Sequence, residues 1–226
     1  MKVTVTNNTK ALVRSVKVIA VAMLIYGWRR LPATVRAPLI LSVGMRLSVA
    51  LWLVFSVYWS IAARDRAATK TSESPSSRRL HLALVSAAQL LLFLRVPGLT
   101  QRFLPARDVI VAAGLIVQSA GFALAVWARR HLGRNWSAEV RIAAEHELVR
   151  SGPYRYLRHP IYTAVLGMYL GSAVVYGEAH ALLALPLVTA AYWRKIRLEE
   201  RALSETFGAD HEIYRRHTWA LIPGVY

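Results

Sequence analysis

Two polar patches, separated by one apolar hairpin, hold the residue types in this chain that could do chemistry. The first runs from His146 to Tyr162, HELVRSGPYRYLRHPIY, and stands directly before an apolar run. The second is Arg194-Lys195-Ile196-Arg197-Leu198-Glu199-Glu200, followed by a Phe207-Gly208 turn and, near the end, Pro223. Such groups are costly beside lipid unless they are paired or used. A carboxylate set against histidine and tyrosine rings can hold a cationic ligand. Pro160 suits the first turn of a helix, which puts His159 at a helix mouth, a place for a carboxylate or phosphate. The same residues also read as an interfacial belt, with Tyr154, Tyr156 and Tyr162 among headgroups and Arg155 and Arg158 on lipid phosphates. Lys195 with Glu199, and Arg197 with Glu200, are spaced for intrahelical ion pairs worth about 0.2–0.5 kcal/mol each. So small a gain does not explain acidic residues returning to a membrane surface.

Other chemistries find little support. With no cysteine in the chain, disulfides, thiolate metal sites and cysteine nucleophiles are excluded. His131, His146 and His159 lack the spacing of a helical ligand pair, and the HEL at His146 has no second histidine, so no metal is expected. No glycine-rich phosphate loop is present, and Ser151 and Ser204 have no nucleophile-elbow context. Nine of the twelve acidic residues, six of the seven histidines and eight of the ten tyrosines lie beyond Arg130, which places the chemistry in the carboxy-terminal half.

The elements that must position these patches are membrane helices. Over 226 residues the chain is 55% hydrophobic yet carries a formal net charge of +17, with long apolar runs alternating with short Arg-rich connections. That segregation fits a polytopic membrane protein and argues against a nucleic-acid partner, for which Lys and Arg would be spread over a soluble fold. Six apolar runs are read, Val16–Trp28, Pro38–Ala63, Leu80–Leu94, Val109–Ala128, Ile161–Gly177 and Ala181–Trp193, against a need of about 20 residues per span. The expectation is an all-α protein with about six spans, five being possible, and a small cytoplasmic cap. The first run, broken by Arg14 and Lys17, reads as a retained anchor and not a cleaved signal. Arg95, Arg194 and Lys195 are expected to extend their charged tips to the interface. Gly167 and Gly171 are expected to allow close helix packing.

Lys and Arg crowd one side of this arrangement, so both termini are expected in the cytoplasm, at the inner membrane if the source is bacterial. The Ser-, Thr- and charge-rich stretch 64–79 reads as a flexible linker between amino-terminal helices (1–63) and a membrane-embedded catalytic domain (80–226). A short connection at Glu178-Ala179-His180 makes the last two runs an antiparallel hairpin, bringing His159–Tyr162 and Lys195–Glu200 to one cytoplasmic end.

In their order, WARRHLGRNWS, HELVRSGPYRYLRHPIY, a helical hairpin, EERAL, FGADHEIY and Pro223 resemble the isoprenylcysteine carboxyl methyltransferase family of integral membrane enzymes. The resemblance covers a little under half the chain. It implies S-adenosylmethionine in a cytoplasm-facing pocket and a lipidic or amphipathic acceptor entering from the bilayer. It also implies a strand-like cofactor segment at His146, Glu147, Leu148 and Val149, and an aromatic contact at Tyr154. His159, Pro160, Ile161 and Tyr162 match the family's RHPxY element, and Glu199, with Glu200 its neighbour, matches the acidic contact. Lys195 stands where the eukaryotic enzymes carry a substrate-binding arginine, and Glu139 where they carry a neutral amide. Lys195 or Arg197 would place an acceptor carboxylate. A phospholipid amine N-methyltransferase and a non-catalytic membrane anchor or transporter subunit are the alternatives.

Overall fold

The computed structural model describes residues 39–63, 70–71, 73–133, 141–142 and 148–224. Among them run six α-helices: α1 (Leu39–Ala62), α2 (Pro75–Phe93), α3 (Asp108–Leu132), α4 (Pro160–Tyr176), α5 (Ala179–Phe207) and α6 (Ala209–Arg216). The only other regular pieces described are a 3-10 turn at Gly152–Arg155 and an antiparallel pair of two-residue strands, β1 (Lys70–Thr71) and β2 (Arg141–Ile142). The all-α expectation holds, and α1 to α5 correspond to the second through sixth apolar runs. The first run, Val16–Trp28, lies outside the described residues.

Two boundaries differ from the sequence reading. The stretch expected as a linker to residue 79 is already helical from Pro75. Ser74 is extended and its hydroxyl accepts the Ser77 N–H at 3.3 Å, while Pro75 occupies the first turn without losing a hydrogen bond. The second difference lies in α5, which passes beyond Trp193 without a break and ends at Phe207, where Gly208 takes φ +49°. Lys195, Glu199 and Glu200 therefore ride on a rigid extension of a bundle helix.

Both α1 and α3 are long and apolar enough to cross a membrane, yet only 28% of each apolar window is buried inside the protein. Val43, Leu47, Val54, Val57 and Ile61 on α1, and Val109, Ile116 and Val117 on α3, face outward. An apolar helix with an unburied apolar face has lipid as its solvent. Inside the bundle, polar groups pair across helices: the Trp52 indole N–H donates to Ser172 Oγ at 2.9 Å and the Tyr169 hydroxyl to Gln89 Oε1 at 2.6 Å. Trp52 and Ala88 share one core with Tyr169 and Val188, so α1 and α2 belong to the same packed unit as α4 and α5.

α3 and α4 make the closest helix pair, and glycine permits it. A Cβ on Gly171 would lie 2.5 Å from the Gln118 nitrogen and from the Gly114 carbonyl oxygen, whereas one on Gly167 would meet only the Gly121 Cα, at 3.8 Å. Only Gly171 of the expected pair is thus required by the packing. α2 runs antiparallel to α5. At the end remote from Glu199, Arg95 is not extended freely to the interface as expected. It forks onto the buried Glu178 carboxylate at 3.1 and 3.3 Å, and His180 joins the same carboxylate at 3.0 Å. This latch fixes the turn of the α4–α5 hairpin against the end of α2.

Gly171→Ala is expected to lower unfolding free energy in detergent by about 1–3 kcal/mol through overpacking, while Gly167→Ala changes it by less than about 0.5 kcal/mol. Chemical denaturation of both variants checks this; equal effects would mean that the α3–α4 approach is not set by Gly171.

Candidate functional site

The two polar patches meet at one end of the α4–α5 hairpin. α4 enters with His159 as its N-cap and Pro160 in its first turn. The chain leading in is held by the carboxy-terminal segment, whose Trp219 and Ala220 carbonyls accept the Arg158 and His159 N–H groups at 2.8 and 3.1 Å. The N–H groups of Tyr162 and Thr163 turn back to the His159 carbonyl. From across the hairpin, the polar half of α5 brings Glu199 and Glu200.

His159 sits between those two carboxylates. Its Nε2 is 2.9 Å from Glu200 Oε1 and its Nδ1 is 3.3 Å from Glu199 Oε2. A carboxylate only accepts, so a proton on each ring nitrogen, the imidazolium form, is the state that suits both contacts. Burial disfavours that charge, but the bonds and charges of Glu199 and Glu200 outweigh it and raise the His159 pKa above its ordinary value. Burial likewise pushes Glu200 upward, and His159 and Arg158 overcome it, holding the carboxyl at about 2. Glu200 also receives Arg158 Nε at 2.7 Å and Arg215 Nε at 3.2 Å. Arg158 in turn reaches the Thr218 and Arg215 carbonyls. Glu200 is therefore the knot that ties α4, α5 and α6 together, each of its oxygens already engaged by a basic side chain.

Glu199 is held differently. Its Oε1 accepts the Tyr162 hydroxyl at 2.6 Å, and it has no arginine against it among the ion pairs of the described residues. Tyr162 is stacked on one side with His159, centroids 5.6 Å apart, and on the other with Tyr192, centroids 4.7 Å apart. A carboxylate beside a ladder of aromatic rings suits an ammonium or sulfonium.

Lys195 departs from both sequence expectations. It neither reaches the interface nor pairs with Glu199 along the helix; it is buried, and its Nζ donates to Glu73 Oε2 at 2.6 Å. Arg194 likewise turns inward to Ser77, donating to its Oγ at 2.7 Å. Arg197 is exposed and its guanidinium lies 5.4 Å from the Trp193 ring centroid, so it joins neither Glu200 nor the Glu199 cluster. Neither intrahelical ion pair read from spacing forms: Lys195 takes Glu73, just before α2, and Arg197 lies over Trp193 of its own helix.

Of the remaining expected residues, Tyr154 and Ile161 pack with Ala128, and Val149 leans on that group. Pro160 is fully buried, Leu148 is half-buried, and His146 and Glu147 lie outside the described residues. Sequence reading missed Glu73, Ser77 and His81, all delivered by α2 and the residues just before it. His81 Nδ1 donates to the Ala191 carbonyl at 3.3 Å, and its ring lies 5.8 Å from Tyr192. A Ser-Pro helix start at Ser74 was the available signal that this stretch is ordered. Arg158 was read as a lipid contact; the Glu200 pair was not visible from its spacing.

Residues 109–210 match the family model described as Phospholipid methyltransferase. The chain is 31% identical over 81 residues to the uncharacterized protein YpbQ of Bacillus subtilis (strain 168), covering 35% of this chain and 48% of that protein. It is 30% identical over 113 residues to a probable protein-S-isoprenylcysteine O-methyltransferase of Oryza sativa subsp. indica, covering 49% of this chain and 59% of the relative. The matches thus span about half the length of these curated relatives. Among solved structures, the eukaryotic intramembrane Ras methyltransferase, isoprenylcysteine carboxyl methyltransferase, superposes with a TM-score of 0.55 at 19% identity, covering 96% of this chain and 75% of that one, which shows a shared fold. These comparisons show that part of the chain is similar to the Phospholipid methyltransferase family and to protein-S-isoprenylcysteine O-methyltransferases, and that its fold is shared with a solved intramembrane methyltransferase.

Proposed function

We propose that this protein is an S-adenosylmethionine-dependent methyltransferase acting at the membrane on a carboxylate of a lipidic or prenylated, isoprenylcysteine-like acceptor. The observation that carries the reading is Glu199 held by Tyr162 beside the His159, Tyr162 and Tyr192 rings. That donor set fits a ligand bearing an ammonium and a sulfonium. When bound, S-adenosylmethionine supplies a methyl group activated by a positive sulfur. Glu199 would hold the ammonium, and the Tyr162 and Tyr192 faces would lie toward the cation. Tyr154, Pro160, Ile161, Leu148 and Val149 would line the pocket; the resemblance also assigns His146 and Glu147 to it, and these lie outside the described residues. His159 is the brace that keeps Glu199 aimed.

Transfer to a carboxylate forms one C–O bond as one C–S bond breaks, and needs alignment and exclusion of water more than a base. Lys195 would place the acceptor. The catalytic unit would extend back to include Glu73 and α1, which packs into the same core, with the Glu199 end and both termini in the cytoplasm, at the inner membrane in a bacterium. An amine acceptor is the second reading. It is favoured by His81, whose Nδ1 proton is committed to Ala191 so that Nε2 offers a lone pair for a proton.

Titration calorimetry on the detergent-purified protein is expected to give saturable S-adenosylmethionine binding that is lost in Glu199→Ala and His159→Ala; unchanged binding in both variants removes this site. Tyr162→Phe should weaken binding by about tenfold, the loss of one charge-assisted hydrogen bond to Glu199.

The knot also sets a pH profile. Glu200 has a depressed pKa, so its contribution is present above its unfolded value and is lost as pH falls toward about 2. His159 has a raised pKa, so its contribution is full below its unfolded value and is lost as pH rises through the folded one. Thermal stability should therefore be greatest between those two unfolded values, from about pH 4.5 to 6.5. Glu200→Gln should remove most of the acid limb and cost about 3 kcal/mol; an unaltered profile would show that Glu200 does not hold the hairpin end.

A further inference from the structure

Beside Lys195 the protein has built a complete carboxylate site and filled it with its own side chain. Glu73 Oε2 receives Lys195 Nζ at 2.6 Å, and Glu73 Oε1 receives the Ser77 hydroxyl at 2.8 Å. Ser77 Oγ in turn accepts Arg194 Nη2 at 2.7 Å, which polarises the hydroxyl toward the carboxylate. The Glu73 and Lys195 side chains are 2% and 4% exposed. Arg194 and Lys195 are adjacent on α5, five and four residues before Glu199, so the cradle lies about one helical turn from the proposed cofactor carboxylate. His81 and Tyr192, in ring contact, border both.

We propose that Lys195, Ser77 and Arg194 form the acceptor-carboxylate site, and that Glu73 is an internal stand-in which the acceptor displaces and which returns once the acceptor is methylated. The proposal rests on the methyltransferase reading and names how that site takes and releases its substrate.

Three physical points support the exchange. A buried lysine left without a counter-charge is strongly destabilising, so a site that must be empty before the acceptor arrives needs an occupant. Glu73 precedes the N-cap Ser74 and lies outside α2, so turning its side chain away breaks no helical hydrogen bond. Methylation removes the acceptor's charge: the carboxylate oxygen bonds to the methyl carbon as the methyl leaves sulfur, and the ester is neutral. A neutral ester cannot satisfy Lys195, whereas Glu73 can, so the returning carboxylate favours product release. Acid and ester thus differ in affinity because of a competitor carried by the chain itself.

The test uses the full-length protein in detergent with N-acetyl-S-farnesylcysteine, its carboxamide and its methyl ester as probes, each titrated by calorimetry. Wild type should prefer the acid over the amide by only a few-fold. Glu73→Gln should bind the acid about tenfold more tightly with amide binding unchanged, because one internal competitor for a charge-assisted bond is gone. Glu73→Asp, which keeps the charge but shortens the arm, should shift the acid in the same direction by less, and serves if the glutamine variant does not fold. A brace with no competing role predicts that both variants weaken acid and amide alike, and that result, or an unshifted acid-to-amide ratio, overturns the proposal. S-adenosylmethionine titration of the same preparations reads Glu199 and not Glu73, so its failure in wild type would count against the methyltransferase reading alone.

Discussion

A buried charge must be paired, and in this protein the charge that sets the arrangement of the site is the His159 imidazolium. It stands at the mouth of α4 with a glutamate on each ring nitrogen, and both glutamates come from α5. Removing either partner would leave an ion with no water to solvate it. The pairing therefore fixes the angle and depth at which the two helices of the hairpin end. Arg158 and Arg215 extend the same logic to α6 and the carboxy-terminal segment through Glu200. Glu200 is thus spent on architecture, which leaves its neighbour Glu199, steadied by Tyr162, as the carboxylate available to a cation.

Lipid explains why such pairing is decisive here. α1 and α3 present apolar faces outward and contribute little pull toward the centre, because lipid tails are as apolar as leucine. Close approach at Gly114, Gly121 and Gly171, together with hydrogen bonds such as Trp52 to Ser172, supplies the packing instead. At each end of the α4–α5 hairpin a glutamate gathers hydrogen-bond donors: Glu178 takes Arg95 and His180, and Glu200 takes Arg158, His159 and Arg215. The hairpin is pinned at both ends, and the site is built on its rigid, water-facing extension.

How much of this was legible follows from what sequence spacing can and cannot encode. The apolar runs marked α1 to α5 because membrane helices are long and uniform. The short connection at Glu178 dictated an antiparallel hairpin, and hence that His159 and Tyr162 would meet Glu199 and Glu200. Spacing along α5 misled where it offered Lys195–Glu199 and Arg197–Glu200 as pairs. An exposed intrahelical pair gains a few tenths of a kcal/mol, and for Lys195 the buried Glu73 wins easily. Glu73 and Ser77 were hidden in a stretch whose polarity reads as linker, and His81 stands just inside the apolar run that follows, where nothing in its spacing points to Ala191 or Tyr192. The order of Glu73 and Ser77 comes from Ser74 capping the helix and from Lys195 and Arg194 reaching across to receive them. Arg95 was misjudged for the same reason, since its partner lies 83 residues away.

The protonation of His159 is the most direct test of this arrangement. In a histidine-labelled sample, assigned by comparison with His159→Gln, nitrogen NMR is expected to show both His159 ring nitrogens protonated and losing a proton only at a pH above that of a free imidazole. Addition of S-adenosylmethionine should perturb Nδ1, on the Glu199 side, more than Nε2, on the Glu200 side. A His159 spectrum with one bare nitrogen at neutral pH would mean that the ring is not clamped between two carboxylates, and the proposed cation site would lose the brace on which it stands.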